Sequence, residues 1–373
     1  MSKEIKKNFG KSASKGRAAG KSSANKSGSG KSGSKFGAAK PSKTFDKKEH
    51  DRKIQERKLE KKKKMEAKEA AGDNNKLATF NWYPGHMTKA KRQMQEDIKL
   101  IDLVIEIVDA RVPNSSRNPD IDELANNKAR IVILNKADLA DDKLTNAWIS
   151  YFKEKGFYCL KMDSRKNNGF KELNEIILES CSEKIEKDKA KGIVGRPIRA
   201  MIVGIPNVGK STFINAYSGK ASAKTGNKPG VTKGKQWIKI KGNIELLDTP
   251  GILWPKFEDQ TTGLRLAMIG SINDNILNKD DLALEVIKYL NKYYANNLKK
   301  RYEFEDSEIE EAKANYEMAI NEETATSLAI MEVIALKRGC IKKGAQADFE
   351  KVSNIILDDF RSARLGLVSL ERP

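Results

Sequence analysis

The chain has 373 residues with 71 Lys and Arg against 51 Asp and Glu, a net charge of +20 that suits an acidic partner such as nucleic acid. Its length accommodates two domains plus extensions. Three well-separated cysteines (Cys159, Cys181, Cys340) form no C-x-x-C or metal-like spacing, no apolar run approaches the roughly 18 residues of a membrane span, and no hydrophobic signal core follows Met1, so a soluble cytoplasmic protein is expected.

The charge is concentrated at the start. Residues 1–75 hold 23 Lys and Arg against 9 Asp and Glu, which leaves only +6 for the remaining 298. Residues 1–43 are a Lys/Ser/Gly tract that cannot bury enough apolar surface to offset ordering entropy, and residues 46–70 favour helix without an apolar stripe. A basic tail over 1–78, disordered to partly helical, is therefore expected. It reads as a solubilising extension or as an electrostatic grip on RNA through counterion release. An organelle transit peptide is a third reading, disfavoured because the first 43 residues contain one arginine, Arg17, and no amphipathic pattern.

After the tail, Asn81-Trp82-Tyr83-Pro84-Gly85-His86 reads as a loop punctuated by Pro-Gly. Met87, Ala90, Met94, Ile98 and Ile101 then recur at helical spacing. His86 thus stands where a loop enters a helix, a place where a cap or a packed side chain is commoner than a catalyst.

The apolar run 130–135 predicts a strand ending in Asn135-Lys136-Ala137-Asp138. A carboxylate at Asp138 can accept from guanine N1–H and the exocyclic amine, a donor pair that adenine lacks. Asn135 would fix the loop and reach the base's other edge, and the Lys136 stem can cover the ring. The bland reading is a strand-end turn, which Asn and Asp favour anyway. Ser164, after the strand-like run 157–162, is a candidate for the loop backing the base.

Residues 198–204 predict a buried strand, 204–211 (GIPNVGKS) a phosphate loop, and 210–219 a helix, the context this glycine-rich pattern requires. Asn207, Val208, Gly209, Lys210, Ser211 and Thr212 form its phosphate-facing part. Lys210 would reach the β- and γ-phosphates and Ser211 would ligate Mg²⁺. Thr232, in KPGVT, is the candidate switch threonine for the metal and γ-phosphate, though a surface-loop threonine is its bland reading. A further strand over 243–248 ends in Asp248-Thr249-Pro250-Gly251, 38 residues after Lys210. There Asp248 can hold Mg²⁺, usually through water, and Gly251 N–H can meet the γ-phosphate. Ile252 follows, where many GTPases carry a water-orienting Gln; its side chain can neither donate nor accept a hydrogen bond.

Beyond residue 276 helices are expected over 280–294, 307–319, 323–338 and 347–361, with Leu328, Met331, Ile334 and Ala335 as an apolar face. Lys337, Arg338, Lys342, Lys343, Arg361 and Arg364 gather at their connections, as a solvated surface or a phosphate-binding one.

The base-reading tetrad precedes the phosphate loop, the reverse of the usual GTPase order. An α/β fold follows: a circularly permuted P-loop GTPase domain over 79–275 and a small all-α domain over 276–373. In motif and order, residues 79–373 resemble the ribosome biogenesis GTPase A family. The resemblance is carried by NWYPGHMTKA (81–90), DLVIEIVDARVP (102–113), NKAD, GIPNVGKST, KPGVT, ELLDTPGILWPKFED (245–259) and DDFRSARLG (358–366). It implies GTP hydrolysis on the immature large ribosomal subunit during its late assembly, a helical domain on ribosomal RNA, and a protein monomeric off the ribosome. It also implies that His86 orients the attacking water and that Asn207 helps hold K⁺. Two alternatives stay open: an RNA-binding module with GTP as a structural ligand, and a GTPase acting on small-subunit or transfer RNA. Residues 260–275, joining the switch region to the helical domain, are the expected lever between nucleotide state and RNA.

Overall fold

The computed structural model describes residues 85–373 apart from 167–168, 221–235, 255–256, 258, 275–277, 317–318, 320 and 344–345. All of these belong to one compact unit, Asn75–Pro373. The tail expected over 1–78 and the expected domain boundary at 275/276 lie outside the described residues.

Six strands make one sheet: β1 (Leu103–Asp109), β2 (Ala129–Asn135), β3 (Tyr158–Met162), β4 (Ile198–Val203), β5 (Gln236–Ile240) and β6 (Ile244–Asp248). Their order across the sheet is β3-β2-β1-β4-β6-β5, parallel except for the β5–β6 hairpin. Burial explains the sequence pattern. Every residue of β1 is buried, as expected for a parallel strand covered on both faces. Ile105 and Ile107 point into the larger core with Phe213 and Ile177, whereas Val108 joins Val132, Leu134, Trp148 and Phe152 on the other face.

The chain builds outward from β1 to β3, then returns to β4 beside β1 and builds outward the other way. The order therefore reverses between β1 and β4, and in open α/β sheets ligands bind at the carboxyl ends of the strands flanking such a reversal. Permutation keeps this switch point while changing which motif the chain reaches first.

Helices cover the sheet: α1 (Gly85–Asp97), α2 (Asp120–Leu124), α3 (Asp142–Glu154), α4 (Phe170–Ser180), α5 (Ser182–Ala190) and α6 (Lys210–Ser218). Asp141 caps α3, its carboxylate accepting from the amides of Lys143 and Leu144, and the helix buries Thr145, Trp148 and Phe152. Helix α1 begins at Gly85, so His86 is its second residue, and Met94 and Ile101 of the expected stripe are buried.

Helix α7 (Gln260–Met268) leads to α8 (Lys279–Tyr302), α9 (Asp306–Lys313), α10 (Glu322–Lys337) and α11 (Phe349–Arg361), with α10 packed on α8, α9 and α11. Two expectations need correcting. The first long helix continues to Tyr302 through a break in helical geometry at Tyr294 (φ −142°, ψ 37°). And α10 has no single apolar face: Ala325, Ser327, Ala329, Ile330, Met331, Val333, Ile334 and Ala335 are all buried, as befits the central helix of a cluster, while Leu328 is half-buried.

Beyond α11 the chain turns back toward the sheet. Val368 N–H donates to Leu139 O at 3.2 Å and Leu370 N–H to Arg111 O at 2.8 Å. The buried Glu371 carboxylate accepts from the amides of Asn114 (2.7 Å) and Ser115 (3.0 Å), from the Ser115 hydroxyl and from Arg265 (3.2 Å). Burial pushes its pKa up.

Candidate functional site

Five segments meet at the carboxyl ends of the parallel strands: Asp109-Ala-Arg111 after β1, the tetrad after β2, Ser164 after β3, the phosphate loop after β4 and Asp248 to Gly251 after β6. Asn135 ties three of them together. Its Nδ2 donates to Val208 O at 2.6 Å, and its Oδ1 accepts from Ser164 N–H at 3.1 Å and Ser164 Oγ at 2.7 Å. Both side chains are fully buried, so these bonds form where water does not compete.

The phosphate loop requires its glycines for reasons visible in its surroundings. Gly204 has φ +152° and a Cβ there would lie 2.4 Å from Ile107 O; Gly209 has φ +98° and its Cβ would lie 2.4 Å from Asn135 Nδ2. Asn207 also takes positive φ (62°), and its Nδ2 donates to Gly270 O at 2.8 Å. Helix α6 starts at Lys210, turning its first amides, with Ser211 and Thr212, toward the loop.

Lys210 is buried, its Nζ donating to Gly204 O (3.0 Å) and Ile205 O (2.8 Å), and burial pulls its pKa down to about 8 against the pull of Asp248. Asp248 is buried too. Its pKa is pushed up to about 6 by burial, with Lys210 opposing, and its Oδ1 has no hydrogen-bond partner. Such a carboxylate is costly unless a cation or donor reaches it. Neighbouring Thr249 donates to Ile202 O at 2.6 Å. A Cβ on Gly251 would fall 2.8 Å from Lys210 Nζ and 2.9 Å from Pro206 N, so this glycine lets its loop touch the phosphate loop. Ile252 is 4% exposed and packed in the core.

At the tetrad, Lys136 adopts a left-handed conformation (φ 57°), which turns the chain sharply after β2. Its Nζ donates to Asp109 Oδ2 at 2.9 Å. Asp109 in turn takes a two-bond grip from Arg111, at 2.9 Å and 2.8 Å. Burial would raise the Asp109 pKa, but Arg111 and Lys136 overcome it and hold the group well below the usual carboxylate range. Burial lowers the pKa of Lys136 despite Asp109. Asp138 is half-covered: its Oδ1 is buried with no partner, and its Oδ2 accepts from Arg165.

Two expected site residues escape this geometry. Thr232 and the side chain of His86 fall outside the described residues. Conversely, Asp109, Arg111, Arg165 and Glu371 were not singled out in the sequence. Asp109 closes an apolar run and reads there as a strand end. Arg165 stands in a polar loop and Glu371 some 120 residues beyond Gly251, with no local pattern marking either.

Arg361 changes role. It was grouped with the surface cations, yet its guanidinium donates to Ala267 O (2.8 Å), Met268 O (2.9 Å) and Asp274 (2.7 and 2.8 Å), and its carbonyl accepts from Arg111 (3.4 Å). It packs against Gly270, where a Cβ would lie 3.3 Å from it. Asn207 of the phosphate loop, Gly270 and Arg361 of α11 are thus in direct succession. Arg364 and Lys337 are likewise paired, with Asp359 and Asp358 and with Glu308.

Among the described residues no cluster of three or more His, Cys, Asp or Glu could hold a metal, and no helix is long and apolar enough to cross a membrane. A metal here would have few protein ligands, the manner of Mg²⁺ carried largely by phosphates and water.

Sheet order, phosphate loop and the tetrad upstream of it define a circularly permuted P-loop GTPase. The family described as 50S ribosome-binding GTPase matches residues 199–322, which include the phosphate loop and Asp248 but not the tetrad. Ribosome biogenesis GTPase A of Bacillus cereus is 49% identical over 294 residues, 79% of this chain and 94% of that protein, and its Priestia megaterium counterpart is 46% identical over 296 residues, covering 79% and 97%. The chain belongs to the ribosome biogenesis GTPase A family. Among solved structures, GDP-bound TM YlqF is similar at 25% identity with a TM-score of 0.52, covering 76% of this chain and 99% of that one.

Proposed function

We propose that this protein binds GTP with Mg²⁺ and hydrolyses it to GDP and phosphate on the immature large ribosomal subunit, promoting late assembly. One observation carries the nucleotide assignment. Two carboxylate oxygens, Asp138 Oδ1 and Asp248 Oδ1, are buried without partners at strand ends on either side of the β1–β4 switch point. The first suits one of guanine's paired donors and the second a hydrated cation, and native proteins seldom leave such atoms unsatisfied.

The chain's own groups divide the work. Asp138 reads the base, with Lys136 over it and Asn135 and Ser164 holding the loop. Asn207, Val208, Gly209 and Thr212 shape the loop around the phosphates, and Lys210 moves from its loop carbonyls to the β- and γ-phosphates. Ser211, Thr232 and Asp248 hold Mg²⁺, which when bound neutralises charge developing on the transferred phosphoryl group. Asn207 serves K⁺ beside the phosphates, and Gly251 N–H senses the γ-phosphate. Because Ile252 is apolar and buried, water must be oriented from elsewhere, and His86 is the group for it, brought in by the ribosome.

The domain reading is a GTPase domain over 79–275 and a helical RNA-binding domain over 276–373, with the basic tail adding electrostatic grip. With Arg361 turned inward, Lys343, exposed on the turn after α10, is the better phosphate-backbone candidate, Lys342 being paired with Asp348 at 3.7 Å. Family relatives carry ribosome biogenesis in their names, which supports a ribosomal partner. Cosedimentation with separated ribosomal subunits, with GDP and with a non-hydrolysable GTP analogue, tests the assignment. Analogue-dependent binding to large subunits is expected; equal binding to small subunits or to transfer RNA refutes it.

A further inference from the structure

We propose that Arg165 sets the affinity and selectivity of the site for guanine: it holds one oxygen of Asp138, and the exocyclic amine of the base must displace it to bind. The inference rests on Asp138 as the base-reading carboxylate.

Guanine offers N1–H and the exocyclic amine side by side, so a carboxylate meets both only with both of its oxygens. The two oxygens of Asp138 differ. Oδ2 already accepts from Arg165 Nη2, whereas Oδ1 is buried without a partner. Oδ1 is left for N1–H, and the donor on Oδ2 has to give way before the amine can pair.

The surrounding groups show why Arg165 can yield. Asn135 is fixed by Val208 and Ser164 and is buried. Lys136 is anchored on Asp109. Arg165 is 64% exposed and has a second carboxylate to retain it: Nε donates to Asp163 Oδ1 at 3.0 Å and Nη2 to Asp163 Oδ2 at 3.2 Å. Releasing Asp138 therefore leaves the guanidinium paired. The planar fork that grips Asp163 through two nitrogens while also reaching Asp138 is a property of arginine.

The exchange has a direction. Pairing between Arg165 and Asp138 stabilises the protein before the base arrives and is lost when the amine takes Oδ2, so Arg165 weakens guanine binding. The pair is at the rim of the site, which limits the effect to a few-fold. Hypoxanthine lacks the exocyclic amine and needs one oxygen only, so an inosine nucleotide leaves Arg165 in place. Arg165 thus lowers the preference for guanine over hypoxanthine while adding no contact to the phosphates.

The test is equilibrium binding of GDP and inosine diphosphate to the full chain and to Arg165→Gln. The expected result is GDP binding about 3-fold tighter with inosine diphosphate unchanged. Weaker GDP binding, no change, or equal tightening of both nucleotides overturns the proposal, because a merely structural or electrostatic role does not distinguish the bases. Asp138→Asn, measured with GDP and xanthosine diphosphate, separates the two levels. A shift of preference to xanthosine diphosphate upholds the base-reading carboxylate, and a failed Arg165→Gln result then removes the Arg165 inference alone. Unchanged GDP preference in Asp138→Asn overturns both.

Discussion

Asn135 Nδ2 donates to the carbonyl of Val208 at 2.6 Å, joining the last residue of β2 to the phosphate loop 73 residues later. The same side chain accepts twice from Ser164, so a single amide holds the ends of β2 and β3 in register with the phosphate loop. Asn135→Ala strips Val208 O and the two Ser164 donors of their partner. Leaving buried groups unsatisfied costs about 1–3 kcal/mol. The variant is expected to unfold at lower urea and to bind GDP about 10-fold or more weakly, as equilibrium denaturation and calorimetry will measure.

Gly209 faces that amide directly. Gly209→Ala meets both an unfavourable φ of +98° and a Cβ 2.4 Å from Asn135 Nδ2. Neither the buried Asn nor the loop can yield without losing its bonds. Nucleotide binding should fall below detection in calorimetry, while Gly219→Ala, which has positive φ but nothing within 4 Å, should show only the backbone cost of about 1 kcal/mol.

The buried pair of Asp109 and Arg111, joined by the partly buried Lys136, predicts an acid response. Arg111 and Lys136 overcome burial and keep the folded-state pKa of Asp109 below its unfolded value. Its contribution to stability is therefore complete above the unfolded value of about 3.9 and drains away as pH falls through it toward the lower folded value. Asp109→Asn should cost about 3–5 kcal/mol at pH 7, the scale for breaking a buried pair. That deficit should shrink as denaturation is repeated from pH 5 down to pH 3. A deficit constant across this range would mean that the triad contributes through packing alone.

Asp248 carries the metal assignment. Asp248→Asn keeps the shape but loses the charge, so Mg²⁺ should no longer strengthen binding of a non-hydrolysable GTP analogue, and turnover should drop about 100-fold or more. Titrations with and without Mg²⁺ check it. An unaltered Mg²⁺ response would move the metal to other ligands.

The buried Ile252 and the candidate His86 predict slow turnover by the isolated protein. Phosphate release should rise on adding large subunits, and His86→Ala should lose about 100-fold or more of that stimulated rate. Comparing K⁺ with Na⁺ at equal ionic strength tests Asn207 in the same assay; equal rates count against a K⁺ site.

Much of this was legible in the chain because glycine spacing and strand-end carboxylates are local. The phosphate loop, the tetrad and Asp248 follow runs whose apolar character predicts buried parallel strands, and all of those runs are strands. What local sequence does not mark is long-range. Nothing near Arg361 in sequence indicates that its guanidinium is held by Ala267, Met268 and Asp274, so it read as a surface cation. Arg165 looked like one more polar loop residue because its partner Asp138 is 27 residues away. The apolar pattern of α10 suggested one face, whereas packing on three other helices also buries Ser327 and its small neighbours.

The return of residues 368–371 onto the sheet bears on the order in which the protein is made. Translation delivers β1, β2 and the base-reading tetrad early, yet the amides of Asn114 and Ser115 and the carbonyls of Arg111 and Leu139 receive their partners from residues synthesised more than 220 positions later. A nascent chain long enough to contain every GTP motif, through Gly251, still lacks the residues that bond the loops after β1 and β2. Those bonds become available only once the helical region has been synthesised.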